Sequence, residues 1–443
     1  MPDQKTVQVA VVGGGIAGIE AAKKLGSLKT SPVVLVEKGE DSLGGYVLHQ
    51  GMMYLRFLMG QYQHTQGKPL YQEVRSQWKE FQHSLRKKFR TTLEQNDVSL
   101  VYGEALFREP FVFGVGDSIY RCENVILATG SRWEKPVQLV GDPDAWGTWE
   151  TLPQSVVILG GEKESCEVAY HLALFGCQVI LVERNAIFLS EEGEKSRMEV
   201  RGLLSTVGVH IYEGMELREA LKTSYGWRIE LEDSLGNSRL LESEALLVFW
   251  GREGVSPLEL ERDDQTGGIK VSKTYQTSIN GVFAVGDMIH PGSEAHVAKR
   301  EGCVAAENLF LQKMPPLVPT VQLHKDIIRY DVVPGVSYFD YPLASVGMRI
   351  EEARQRFQPF ELQVISRSWP LFGPENREAW VSLLLHKVRQ HILGVVAYGP
   401  SAESLVHLFS LAMMKGVRFH EIGEVMYTVG SLEDLVGEIA LEI

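Results

Sequence analysis

The chain has 443 residues, 44% of them hydrophobic and 23% charged, with four cysteines and a formal net charge of -13. That length sets an expectation of two to four domains, with enough apolar material for several cores without disulfide or metal staples. The acidic balance repels phosphate backbones and anionic membrane surfaces, which argues against nucleic-acid and membrane partners.

Val7 to Val12 is a β-branched run that ends in glycines and reads as a buried parallel strand. A helical stretch from Ala17 to Leu28 and a second β run, Val33 to Glu37, complete a βαβ unit. Tyr54 to Gln95 carries spaced apolar residues among Gln, Lys, Arg and Glu, as one or two amphipathic helices would. Short strands follow, up to Ala128. A second βαβ unit repeats the spacing of the first: strand Val156 to Leu159, helix Glu164 to Leu174, strand Val179 to Glu183. Pro315, Pro316 and Pro319 mark a linker. Beyond it, strands Val381 to Leu385 and Ile392 to Tyr398 and helices Glu403 to Lys415 and Leu432 to Glu438 predict a separate α+β domain. The N-terminus, Met-Pro-Asp-Gln-Lys-Thr, has no signal-peptide pattern. No apolar stretch approaches the length of a membrane span. Cys122, Cys166, Cys177 and Cys303 form no C-x-x-C pair. The expected location is the cytoplasm.

Gly13, Gly15 and Gly18 form G-x-G-x-x-G directly after the first strand, and Glu37 ends the next strand, 19 residues beyond Gly18. This pattern has a physical basis. Gly13 permits a tight turn, Gly15 lets backbone N–H groups reach a diphosphate, and Gly18 lets helix and strand pack closely. The helix N-terminus favours negative charge, and Glu37 can accept ribose hydroxyls. Ala128-Thr129-Gly130 ends a strand where a backbone must approach closely. Gly286-Asp287 ends another, and its aspartate can accept a ribityl hydroxyl. The pattern predicts bound FAD.

Together these segments resemble the pyridine nucleotide–disulfide oxidoreductase family, whose members include dihydrolipoamide dehydrogenase, glutathione reductase and mercuric reductase. The C-terminal stretches Asp340 to Gly347 and Ile392 to Pro400 extend the resemblance over nearly the whole chain. It implies an α/β architecture with two Rossmann-like domains and a C-terminal α+β dimerisation domain. The expected divisions are an FAD-binding part at 1–150, an NAD(P)-binding-like domain at 151–272, a return to the FAD domain at 273–325, and a dimerisation domain at 326–443. It implies a homodimer, with FAD held by Gly13, Gly15, Ile16, Ala17, Gly18, Glu37, Lys38, Gly44, Gly45, Ala105, Ala128, Thr129, Gly130, Gly286, Asp287 and Val297. Gly160, Glu183 and Gly251 are the corresponding candidates for NAD(P)H.

The sequence departs from the family at its chemistry. The redox cysteines belong in a Gly-Gly-x-Cys-x-x-x-x-Cys pattern. Here Gly44 and Gly45 are followed by Val47 and Met52 in the cysteine slots. Neither side chain forms a disulfide or a thiolate. The acid–base His-Pro-Thr-x-x-Glu stretch aligns with Val429 to Asp434, and valine moves no proton. In the second glycine loop, Glu162 and Ser165 replace the middle and last glycines. A carboxylate about 4 Å from a diphosphate costs roughly 4 kcal/mol at a surface-like dielectric, about two to three decades of affinity. Lys163 offsets part of that charge if it turns toward it. NAD(P)H binding is therefore expected to be weak, with Glu183 favouring NAD over NADP and Arg184 blurring the choice. Arg56 and Glu167 match the family's flavin-side Lys–Glu pair and are expected as an ion pair beside the isoalloxazine. Cys166 reads as a small buried hydrophobe, His49 as structural and His420 as a surface residue.

Two main functions follow, beside a third in which a partner brings in the cysteines of a disulfide reductase. One is an FAD-dependent oxidoreductase that passes electrons from NAD(P)H or another donor directly to an unknown acceptor. The alternative is a non-catalytic FAD-binding dimer that serves a partner complex. An open, partly polar cavity beside the cysteine slots favours the first. A dry plug of Met52, Met53 and Tyr54 favours the second.

Overall fold

The computed structural model describes residues 3–49, 51–64, 70–140, 143, 145–312, 328–371 and 378–442. The proline-rich linker expected around Pro315 to Pro319 lies outside them, as does the side chain of Met52.

The first sheet is built on strand Asp3–Val12, flanked by parallel strands Val33–Glu37 and Ser118–Leu127, with Val98–Tyr102 parallel beyond Val33–Glu37. Val9 to Val12 and Val33 to Val36 are buried, as expected of strands covered on both faces. The strand starts four residues earlier than its apolar run predicts. Asp3 to Thr6 are exposed and polar, and pairing with Ser118 to Arg121 makes them strand. Strand Val282–Ala284 joins the far side of Ser118–Leu127, so the chain leaves this sheet and returns to it.

Between these passes the second βαβ unit forms its own parallel sheet, from strands Ser155–Leu159, Gln178–Glu183, His210–Glu213 and Ala245–Val248. A two-stranded ribbon ties the units together, pairing Ser131–Trp133 with Arg252–Gly254. The segment expected as one or two amphipathic helices is two, Met52–His64 and Tyr71–Gln95.

The C-terminal region is a five-stranded antiparallel sheet in the order Pro334–Tyr338, Pro342–Gly347, His391–Tyr398, Glu378–His386 and Leu362–Pro370. Helices Ala402–Lys415 and Leu432–Glu442 pack against it. Among the described residues, no helix is long and apolar enough to cross a membrane.

Helix Ile16–Ser27, which opens at the first glycine loop, lies against helix Ala295–Gln312, which follows the returning strand. They meet closely at Gly302, where an added Cβ would strike the carbonyl of Ala17. Gly302→Ala is therefore expected to destabilise the protein by about 1–3 kcal/mol through backbone displacement. A lowered thermal midpoint in calorimetry checks this.

Candidate functional site

The two glycine loops share one construction. Gly13 and Gly160 end their strands with φ of +108° and +117°, and an added Cβ at either would strike a backbone carbonyl, of Ala128 or of Phe249. The next N–H then points at an acid that ends the following strand. Gly14 donates to Glu37 Oε2, and Gly161 donates to Glu183 Oε2 at 2.7 Å. Ser42 fixes the other oxygen of Glu37, and the Asn185 N–H that of Glu183.

The loops differ at the next position. A Cβ on Gly15 would meet nothing within 4 Å, so the space ahead of helix Ile16–Ser27 is open. In the second loop that position carries Glu162, whose Oε1 accepts a 2.9 Å bond from Ser190. Burial pushes its carboxyl up. Lys163 gives it no direct offset, because its Nζ pairs with Glu192 at 2.8 Å. Ser165, in the third glycine slot, turns its hydroxyl back onto the Glu162 carbonyl at 2.7 Å.

A cavity of about 1000 Å³ runs from the first loop to the second, at the upper end of the usual range for small-molecule sites, about 300–1,000 Å³. Of the residues predicted for FAD, Gly13, Gly15, Ile16, Ala17, Glu37, Gly44, Gly45, Ala128, Thr129, Gly130 and Asp287 line it. Gly18, Lys38, Ala105, Gly286 and Val297 do not. Gly18 packs on the Gly13 carbonyl, Lys38 pairs with Glu104 at 3.3 Å, and Val297 is buried. Gly286 is held from behind: its N–H donates to Glu301 Oε2 at 2.7 Å. Of the NAD(P)H candidates, Gly251 lines the cavity, whereas Gly160 and Glu183 do not. These residues fit a dinucleotide at the first loop. The open space at Gly15 and the unpartnered Nε2 of His49 in the cavity wall are what such a ligand would fill.

The first cysteine slot, Val47, opens onto the same cavity. Val47, Gly51 and Leu55 line it, and none of the four cysteines does. Cys166 is buried with its thiol toward the Gly161 carbonyl. Tyr54 is no plug: its ring is stacked between Trp78 at 4.8 Å and Trp146 at 4.9 Å. Val429 and His420 are exposed.

The expected Arg56–Glu167 ion pair does not form. Arg56 is largely exposed and pairs with Glu403 at 3.1 Å, on helix Ala402–Lys415. Glu167 lines the cavity and accepts from the Tyr338 N–H, and burial raises its carboxyl well above the ordinary range. The cation acting on it is Lys163, four residues earlier on the same helix. Four residues apart places the two on one helix face; Arg56 instead reaches the helix that covers it.

One cluster escaped the motif reading. Arg252 lies over the rings of Tyr46 at 4.4 Å and Trp133 at 4.5 Å, with Nη2 3.4 Å from Asp287 and Nη1 4.0 Å from Glu164. Tyr46 donates its phenol hydrogen to Glu164 Oε1, and Ser131 donates to Asp287 at 2.6 Å. Burial pushes the Glu164 carboxyl up to about 7, against the pull of Arg252 and of the Tyr46 hydrogen bond. Tyr46 adjoins a cysteine slot and Glu164 adjoins the altered glycine loop, so proximity in sequence to two degenerate motifs was the available signal.

A dinucleotide loop, an open cavity and a second, modified loop define a protein of the two-dinucleotide oxidoreductase class. The model for "Pyridine nucleotide-disulphide oxidoreductase" matches residues 7–302, and the model for that family's dimerisation domain matches 333–438. The chain belongs to this family. It is 26% identical to a dihydrolipoyl dehydrogenase of Bacillus subtilis, over 98% of this chain and 97% of that one. It is 24% identical to that of Chlamydia pneumoniae, over 97% and 95%. Its fold matches the HOCl-induced flavoprotein disulfide reductase RclA from Escherichia coli, with a TM-score of 0.82, 19% identity, and coverage of 97% of this chain and 98% of that one.

The open space at Gly15 supplies a test. Gly15→Glu copies Glu162 into the first loop and is expected to weaken FAD binding by about two to three decades. Flavin fluorescence titration of refolded apoprotein measures this.

Proposed function

We propose that this protein is an FAD-dependent oxidoreductase that passes electrons to a non-thiol acceptor without a dithiol relay. The observation that carries this reading is Val47 in the wall of an open, partly polar cavity that no cysteine lines. Bound there, FAD would supply the two-electron chemistry. Gly13, Gly15 and the N-terminus of helix Ile16–Ser27 would hold its diphosphate, Glu37 its ribose, and Asp287 its ribityl chain. The units at 1–150 and 273–325 would bind FAD, 151–272 would receive the reductant, and 326–443 would form a homodimer interface.

The reductant is NADH or another donor. Glu183 at the end of its strand favours NAD, because an acid at that position of the motif accepts ribose hydroxyls. Arg184, the residue suited to an extra phosphate, stacks on Trp250 at 5.7 Å instead. Glu162 weakens that binding. The Ser190 hydroxyl shares its charge and burial raises its carboxyl, so the cost falls below the full repulsion between two charges. Glu162→Gly is expected to tighten NADH binding by about tenfold or more, measured by calorimetry on the FAD-loaded protein.

Anaerobic mixing with NADH tests the reading directly. Stoichiometric bleaching of the flavin within seconds is the expected outcome. No bleaching by either nucleotide, with bleaching by dithionite, would favour a non-catalytic FAD-binding dimer. Lipoamide is expected to show no turnover, and its measurable reduction by the isolated protein would overturn the assignment of Val47 and Met52.

A further inference from the structure

Tyr46, Glu164 and Arg252 form a group that the proposed FAD contacts leave unused. Tyr46 comes from the short helix Gly45–His49, Glu164 from the first turn of helix Lys163–Leu174, and Arg252 from strand Arg252–Gly254. All three line the cavity. The Tyr46 hydroxyl is committed to Glu164 Oε1, so a proton on this carboxyl rides on Oε2. The Arg252 side chain is 9% exposed, and its Nε–H is buried with no partner. An unpartnered guanidinium N–H in a cavity wall calls for an acceptor atom on a ligand.

The chemistry narrows that ligand. Arg252 already faces the carboxylate of Asp287 at 3.4 Å, so its charge does not call for a second anion. Lys163, the other nearby cation, is paired with Glu192. A thioether or disulfide would leave both donors without a good acceptor. A neutral carbonyl oxygen satisfies both, taking the Arg252 N–H as one hydrogen bond and the Glu164 O–H as the other.

We propose that the Tyr46–Glu164 pair is the acid–base site of this cavity, giving its proton to the oxygen of a quinone-type carbonyl acceptor that Arg252 Nε–H anchors. The proposal rests on the non-thiol acceptor reading above. The Glu164 Oε2–H bond breaks, an O–H bond forms on the ligand, and the carboxylate left behind is held by the Tyr46 hydroxyl and by Arg252. The acceptor's two electrons are those of the reduced flavin in that reading. The carboxyl titrates near neutral pH, so it both donates and recovers the proton in ordinary solution.

The test uses FAD-loaded wild type, Glu164→Gln and Tyr46→Phe. Infrared spectra across the neutral range are expected to show a protonated-carboxyl band that titrates at about 7, disappears in E164Q and moves to higher pH in Y46F, where no phenol stabilises the carboxylate. Adding a water-soluble naphthoquinone is expected to shift the wild-type band. The rate of quinone reduction relative to ferricyanide, which takes no proton, is expected to fall about tenfold or more in E164Q. A band that survives in E164Q, or an unchanged rate ratio, overturns the proposal. So does a band that FAD loading shifts but the quinone does not, because the donors would then belong to the cofactor. Reduced protein that passes no electrons even to ferricyanide sinks the acceptor reading, while the infrared titration still decides whether the pair holds a proton.

Discussion

The hydrogen bond from a loop glycine to the acid ending the next strand is the constraint on which the site depends. It occurs twice, from Gly14 to Glu37 and from Gly161 to Glu183. Each ties the turn after one strand to the end of its neighbour, and so fixes where the following helix begins. The N-termini of helices Ile16–Ser27 and Lys163–Leu174 face the cavity because these clasps hold them there. Buried strands supply the rigidity, and the clasp converts it into position.

Because the clasp is kept in both loops, what each can bind is decided by a single neighbouring side chain. Gly15 leaves open space at a positive helix end, which suits a diphosphate. Glu162 puts a carboxyl at the equivalent point. The turn and strands of the second unit form whichever side chain stands at that point. Structure and binding are separable here because the glycine needed for the turn is not the glycine needed for the ligand.

The legible part of the sequence was the part governed by local rules. Apolar runs marked the parallel strands, and the glycine spacing placed the first loop within a residue of the observed helix start. Asp3 to Thr6 were illegible because only pairing with Ser118 to Arg121 makes them strand. Arg56 was misplaced for a related reason. Its charge matched a family position, but charge says nothing about reach, and Glu403, far along the chain, is the acid that its helix meets. Tyr46 and Arg252 were visible as letters beside known motifs. Their encounter depends on the ribbon joining Ser131–Trp133 to Arg252–Gly254, a long-range pairing that no local pattern announces.

That ribbon explains how aromatic and charged side chains come together in the cavity wall near Val47. It carries Trp133 and Arg252 into the cavity wall, next to Tyr46 and Asp287. Asp287 is itself held by the turn that Glu301 clamps through the Gly286 N–H, and Glu301 also accepts from Tyr330 at 2.7 Å, across the segment leading into the C-terminal sheet. Arg252 is therefore fixed by aromatic faces on two sides and by an acid whose backbone is anchored from behind. A guanidinium so restrained cannot swing to neutralise Glu164 fully, and it remains 4.0 Å away. Burial therefore raises the carboxyl to about 7, with Arg252 offsetting only part of that shift.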